Sequence, residues 1–257
     1  MNARVTILGS GTSQGVPIIT CGCEVCTSSD PSDQRLRSSI MIEHEDTTLV
    51  VDTGPDFRQQ MLRERVMKLS GIVYTHEHKD HIAGLDEVRA YNYANNWRAQ
   101  VYCTETVEAA LRREFAYAFS DTKYPGVPEI DLNRIDTTPF QVGTIPIIPI
   151  QVYHLNMPVL GFRMGDFTYV TDANRIDAAE REKIRGSRVL VLNALRHDWH
   201  PSHFTLQEAM ELADQLAIPE VYFTHISHQL GMHEKVCAEL PAGRSLAFDG
   251  LTFPIQI

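Results

Sequence analysis

The sequence predicts an α+β fold in which two sheets pack face to face with helices outside. Two observations point there. Short apolar strands dominate the first part of each half of the chain, and helical segments follow them. No low-complexity segment, internal repeat or long linker divides the 257 residues, of which 43% are hydrophobic, so residues 1–257 read as a single domain able to bury a sizeable core. The element order alone also suits a doubly wound sheet.

The elements follow in order. Residues 5–8 read as a strand running into the glycine-rich loop 9–15, and the polar stretch 27–37 reads as loop. Residues 39–43 and 48–51 form a hairpin turning near Glu45 and Asp46, which Asp52-Thr53-Gly54-Pro55 interrupts. Residues 57–65 are helical, with Arg58, Gln59 and Arg63 outward. Residues 71–74 form a strand, and one helix is expected over 81–93. A strand at 101–103 precedes a helix over 106–119, and 120–136 carries too many turn formers to assign. Residues 139–154 read as strands broken by Pro146 and Pro149. Residues 161–164 and 168–171 form a hairpin turning at Gly165-Asp166. Asp177 and Glu180 resemble a capping pair for a helix over 178–184, stopped by Gly186. Thr205 and Glu208 form a clearer capping box for the amphipathic helix 206–216. Apolar strands at 189–192 and 221–223 flank that helix.

Composition narrows the function classes. The 23 basic and 33 acidic residues give a formal net charge of −10, which disfavours nucleic acid as a bulk partner and leaves a small phosphorylated substrate open. The charge neither requires nor excludes a homodimer. No apolar run is long enough to span a bilayer, and the N-terminus lacks a signal-peptide pattern, so no membrane association is expected. The five cysteines are odd in number, and Cys21, Cys23 and Cys26 cluster, which favours a metal site over disulfides and a cytoplasmic location.

Thr75-His76-Glu77-His78-Lys79-Asp80-His81 carries the chemistry. His76 and His78 are two apart on an extended backbone, so both side chains point the same way. Asp80 and His81 fall where the chain turns into a helix. One short segment thus supplies ligands to two adjacent sites, and imidazole with carboxylate suits zinc, manganese or iron. Cys21, Cys23 and Cys26 offer three thiolates, and tetrahedral structural zinc needs a fourth ligand, for which His228 is the best candidate.

These residues resemble the metallo-β-lactamase superfamily, and the resemblance covers nearly the whole chain. It implies a four-layer αββα sandwich of two mixed sheets flanked by helices. It also implies that His76, His78, His154 and Asp172 hold one divalent ion and that Asp80, His81, Asp172 and His225 hold the other, with Asp52 supporting the site. The Gly-rich loop, the Cys-x-Cys-x-x-Cys loop and Thr224-His225-Ile226-Ser227-His228-Gln229 look like the PhnP-type phosphodiesterase subfamily. That likeness implies a structural zinc on Cys21, Cys23, Cys26 and His228. It further implies that His203 stands over the substrate phosphate, where an imidazolium would hold it or protonate the leaving oxygen.

The expected activity is hydrolysis of a small or cyclic phosphodiester by a hydroxide generated at the metal pair, with Asp80 and His203 catalytic. Hydrolysis of a thioester or lactone by the same centre is the alternative. A tRNA 3′-end nuclease fits the charge less well, and a non-enzymatic metal module would not need His203. His197 or His200 could contribute in place of His203. His44 and His233 are expected to face solvent, and Cys103 and Cys237 to fill apolar space. Ser10, Thr12 and Ser13 could approach phosphate, although a Gly-rich turn alone is weak evidence and no P-loop pattern follows.

Overall fold

A computed structural model describes residues 2–122 and 124–257. The first half of the chain runs β1 (Asn2–Gly9), β2 (Ser39–His44), β3 (Thr47–Val51), α1 (Phe57–Glu64), β4 (Gly71–Val73), α2 (Lys79–Ile82), α3 (Arg89–Asn95), β5 (Ala99–Cys103), α4 (Glu105–Glu114), α5 (Ala116–Phe119) and β6 (Ile130–Arg134). The second runs β7 (Phe140–Val142), β8 (Ile145–His154), β9 (Met157–Met164), β10 (Phe167–Val170), α6 (Ala178–Ile184), β11 (Val189–Asn193), α7 (Leu206–Gln215), β12 (Glu220–Thr224), α8 (His233–Glu239), β13 (Arg244–Leu246) and β14 (Thr252–Gln256).

The strands form two mixed sheets, ordered β14-β1-β2-β3-β4-β5-β6 and β13-β12-β11-β10-β9-β8-β7. In each sheet, antiparallel pairing on one side gives way to parallel pairing on the other. The changes fall at β3–β4 and at β10–β11. The doubly wound alternative is thereby excluded, and the four-layer αββα sandwich is what forms.

Strand periodicity explains the layers. Leu49 and Val51 of β3 and Val189 and Val191 of β11 enter the core between the sheets. Val50 turns outward beneath the helices of the first half, and Leu190 and Leu192 turn beneath those of the second. These strands are buried on both faces, which is why they read as unbroken apolar runs. No helix among the described residues is long and apolar enough to cross a membrane.

Several expectations change. The helix expected over 81–93 is broken into α2, a 3-10 turn (Leu85–Val88) and α3. Gly84 sits at the break, where a Cβ would lie 2.2 Å from the Gly54 carbonyl oxygen. The helix expected over 106–119 breaks at Phe115, whose backbone leaves helical geometry at φ −114° and ψ 38°. Strand β8 runs through Pro146 and Pro149 instead of breaking. Residues 145–147 pair with β7 and 148–154 pair with β9, so each proline lies where the strand is paired along one edge. Asp177 makes no side-chain cap; Glu180 instead accepts from the Gln151 N–H at 2.8 Å on the open edge of β8. The Thr205–Glu208 capping box forms as expected. Neither histidine expected to face solvent does so fully: His44 is buried with Nδ1 2.9 Å from Thr144 Oγ1, and His233 is half-buried with Nδ1 3.1 Å from Arg35 Nη2. Strands β6, β13 and β14 and helix α8 have no counterpart in the sequence reading.

The fold holds the His-rich segment close to the end of β3. A Cβ on Gly54 would lie 2.1 Å from the Asp80 carbonyl oxygen, so this contact admits only glycine. Gly54→Ala is expected to lower unfolding free energy by ~1–3 kcal/mol and to reduce metal content by displacing Asp80. Urea unfolding and metal analysis check this; wild-type values for both would contradict it.

Candidate metal centre

The site forms at one edge of the sandwich, where strand ends from both sheets meet. Asp52 follows β3, Asp172 lies just past β10 and His225 follows β12. Their φ angles are +65°, +54° and +57°. Non-glycine residues rarely adopt this left-handed region, and the kink at each strand end aims a ligand-type side chain inward.

Asp52 organises the His segment. Its Oδ1 accepts from the Thr75 N–H at 2.9 Å, and its Oδ2 accepts from Thr75 Oγ1 at 2.8 Å and from His81 Nδ1 at 2.7 Å. The opposite nitrogen, His81 Nε2, lies 3.2 Å from both Asp80 Oδ2 and Asp172 Oδ2. It is buried and has no hydrogen bond of acceptable geometry to either. Burial opposes charge on His81, yet Asp172, Asp52 and Asp80 hold its pKa well above the usual value. Burial likewise opposes ionisation of Asp80 and Asp172, but neighbouring histidines, His81 among them, hold both carboxyls below their usual range. Buried carboxylates around imidazole nitrogens make this a site that seeks a cation.

The remaining expected ligands converge on the same place. Asp80, His81, Asp172 and His225 offer ligand atoms within 4.8 Å of one another. The His76 ring is 4.6 Å from His78 and 4.2 Å from His81, and His78 is 5.1 Å from His154. His76 Nε2 is buried without a partner, and burial pushes that residue's pKa well down, leaving a neutral imidazole ready to bind a metal. The structure also groups His154 and Asp172 with His203 within 4.8 Å, so His203 stands at the metal cluster itself. Its ring lies between His154 and His225, at 4.6 and 4.8 Å. Burial first, then His225, pushes its pKa to about 2, and Nδ1 has no partner. The imidazolium expected from sequence is therefore disfavoured in the resting site, where His203 is a neutral donor.

Supporting residues escaped the sequence reading. Thr171 Oγ1 donates to Asp172 Oδ2 at 2.7 Å, Ser38 Oγ lies 3.2 Å from His225 Nδ1, and the Ser202 carbonyl accepts from His154 Nδ1 at 3.0 Å. Hydroxyls and carbonyls are too common to signal such roles without the fold. In the Gly-rich loop, Ser10 turns away to donate to Asp249 Oδ1 at 2.8 Å, Thr12 Oγ1 lies 3.3 Å from His225 Nε2, and Ser13 is exposed. The loop's glycines serve close packing: a Cβ on Gly9 would lie 1.9 Å from the Arg37 carbonyl oxygen.

Cys21, Cys23, Cys26 and His228 form a separate group within 4.8 Å. His228 Nδ1 is 3.4 Å from Cys21 Sγ and 3.3 Å from Cys23 Sγ. The Ile18 and Cys26 N–H groups point at the sulfurs of Cys26 and Cys23, at 3.4 and 3.5 Å. Donors to sulfur stabilise thiolates, as the Cys26 N–H and His228 do in holding Cys23 down to about 6. Burial pushes Cys26 up to about 11. Cys103 is buried, in keeping with an apolar filler.

Comparison with known proteins agrees with this geometry. Residues 47–226 match the β-lactamase superfamily domain. The chain therefore belongs to the metallo-β-lactamase superfamily, and its fold and His/Asp cluster define a metal-dependent hydrolase with a dinuclear centre. Within that superfamily the likeness is to the PhnP family. A solved structure described as a new diphosphatase of that family is 42% identical, with a TM-score of 0.93, covering 99% of this chain and 98% of its own. An octanoyltransferase of Porphyromonas gingivalis is 36% identical over 251 residues, 96% of this chain but 51% of the relative, so the chain spans about half that protein's length. Zinc-bound PqqB from Methylobacterium extorquens shares the fold at 20% identity and a TM-score of 0.79, covering 97% of this chain and 99% of its own.

Zinc-loaded protein is expected to hold about three ions per chain and Cys23→Ser about two, with the catalytic pair retained. Asp52→Asn should weaken binding at the catalytic pair about 10–100-fold. Metal titration with emission spectrometry checks both; equal stoichiometry in wild type and Cys23→Ser would remove the cysteine site.

Proposed function

We propose that the protein hydrolyses a small or cyclic phosphodiester, with Asp80 and His203 acting on the substrate. One observation carries this reading: a buried, neutral imidazole with an unpartnered nitrogen, His203, stands beside the metal cluster between His154 and His225. It supplies a donor for an oxygen on phosphorus beyond what the metal ligands provide.

His76, His78, His154 and Asp172 would hold one divalent ion, and Asp80, His81, Asp172 and His225 the other. Zinc, manganese and iron all suit these donors. Bound there, the pair supplies an activated water at neutral pH and screens phosphoryl charge. The chain's own residues do the rest. Asp52 fixes His81 through Nδ1 and leaves Nε2 facing Asp80 and Asp172. Ser202 fixes His154 in the same sense. Asp80, held ionised, would accept a hydrogen bond from the attacking water and so orient it. His203 donates to an oxygen on phosphorus as negative charge builds there.

A second reading, hydrolysis of a thioester or lactone at the same centre, is favoured by the relative named an octanoyltransferase. That relative is about twice the length matched here, so its acyl chemistry need not lie in the shared half. The PhnP-family neighbour, 42% identical, supports phosphorus instead.

Metal-loaded wild type is expected to hydrolyse bis(p-nitrophenyl) phosphate and to leave p-nitrophenyl phosphate intact. His203→Ala should lower kcat by ~10²–10⁴ with its metals retained, and Asp80→Ala should lower it at least as far. Wild-type rates in both variants, or much faster turnover of an acyl thioester panel, would move the assignment to the second reading.

A further inference from the structure

Strands β4, β5 and β6 run parallel, so their C-terminal ends lie together beside the His-rich segment. The crevice outside such strand ends is where open α/β sheets take ligands. Here it is a cavity of about 450 Å³. His76 and Glu77 line it past β4, Thr104 past β5 and Asp136 past β6, while the second sheet adds Gln151 from β8 and Met157 from β9.

Two contacts tie this cavity to the candidate metal centre. His76, expected to hold the first ion, is 1% exposed, and its Nε2 has no partner. Met157 pairs with His154, expected to hold the same ion, across the turn between β8 and β9. The strand order puts β3 and β10 on the other side of β4 and β9. The cavity therefore leads from the ligands of the first ion away from the strand ends that carry Asp52, Asp172 and His225.

The lining has one sign of charge. It includes three carboxylates, Glu77, Glu105 and Asp136, and no lysine or arginine. Glu105 is paired with Arg134 at 2.9 Å. The other two meet no cation among the described residues. Asp136 accepts from the Thr138 N–H at 2.6 Å. Glu77 is half-buried and makes no hydrogen bond or ion pair among the described residues. Gln151 Nε2 donates to Tyr153 Oη at 2.8 Å, which leaves its Oε1 as a further unused acceptor. An ammonium has three donors and no acceptor, and so complements such a lining. The chain's net charge of −10 works in the same direction. It repels an anionic diester at long range, whereas a diester that carries one cation is neutral overall.

We propose that this cavity binds an ammonium group on one alcohol of the substrate, so that the centre acts on zwitterionic phosphodiesters in preference to purely anionic ones. This rests on the phosphorus-directed reading above and narrows its substrate class.

The test compares p-nitrophenyl aminoethyl phosphate with its uncharged-chain counterpart, p-nitrophenyl propyl phosphate, on zinc-loaded wild type, Glu77→Gln and Asp136→Asn. In either ester the water oxygen adds to phosphorus and the P–O bond to the aryl oxygen breaks. Nitrophenolate leaves, the alkyl phosphate remains, and the water's protons pass to the product and to solvent. Wild type should favour the aminoethyl ester about tenfold in kcat/KM, the worth of one charge-assisted hydrogen bond. Each variant should lose most of that preference through KM, with its metals retained. Calorimetry with aminoethyl phosphate and propyl phosphate should show the same preference and the same loss. If wild type hydrolyses neither ester, the phosphorus reading fails, and the cavity is still judged by that binding preference. If Glu77→Gln loses metal, Asp136→Asn, which lies outside the His-rich segment, decides alone. Equal treatment of the two ligands by wild type, or a preference that survives in Asp136→Asn, would overturn the proposal.

Discussion

Carboxylates of Asp52, Asp80 and Asp172 converge on the buried imidazole of His81, and much of the architecture of this edge serves that contact. Such a group of charges is costly in a dry interior unless a cation completes it. The imidazole fulfils this in part by holding a proton; metal ions fulfil it with more ligands and from more directions. The geometry needed to bring the groups together explains the left-handed backbone at Asp52, Asp172 and His225. It also explains why Gly54 and the Asp80 carbonyl touch without room for a Cβ. Backbone strain and close packing are concentrated where the chemistry is, as expected when surrounding structure fixes a site rigidly.

The cysteine group is joined to the same edge through one short segment. His225 enters the catalytic cluster, and three residues later His228 meets Cys21 and Cys23. Between them, the Ile226 N–H donates to the Ser10 carbonyl at 2.9 Å, and its carbonyl accepts from the Thr12 N–H at 3.1 Å. The N-terminal loop is thus zipped onto the end of β12. One of its side chains, Thr12, reaches a candidate metal ligand, His225. The glycine-rich composition that hinted at phosphate binding is accounted for on the other side, where a Cβ on Gly9 or Gly11 would meet the carbonyl oxygens of Arg37 and Arg35 at 1.9 and 2.8 Å.

Much of the fold and site was legible because the signals were local. An apolar strand running into His-x-His-x-Asp-His marks both a strand end and a cluster of candidate ligands in six residues, and the Thr205–Glu208 box marks a helix start within four. Apolar runs such as 189–192 also read correctly, since burial on both faces leaves no alternation to misread. What was not legible depended on distant neighbours. Pro146 and Pro149 looked like breaks because their one-sided pairing is invisible without β7 and β9. Gly84 interrupts a helical pattern for the sake of Gly54, 30 residues earlier in the chain. Glu180 had the spacing of a cap but is drawn to the edge of β8. The charge state of His203 depends on burial between the rings of His154 and His225, which come from distant parts of the chain.

The central proposal is that this junction would hold two cations, with Asp172 offered to both and His203 beside them. Anomalous diffraction from crystals of the zinc-loaded protein tests it most directly. The account predicts two peaks at the junction, one among His76, His78, His154 and Asp172 and one among Asp80, His81, Asp172 and His225. A junction with no peak, or with a single peak and Asp172 bound to no metal, would contradict it.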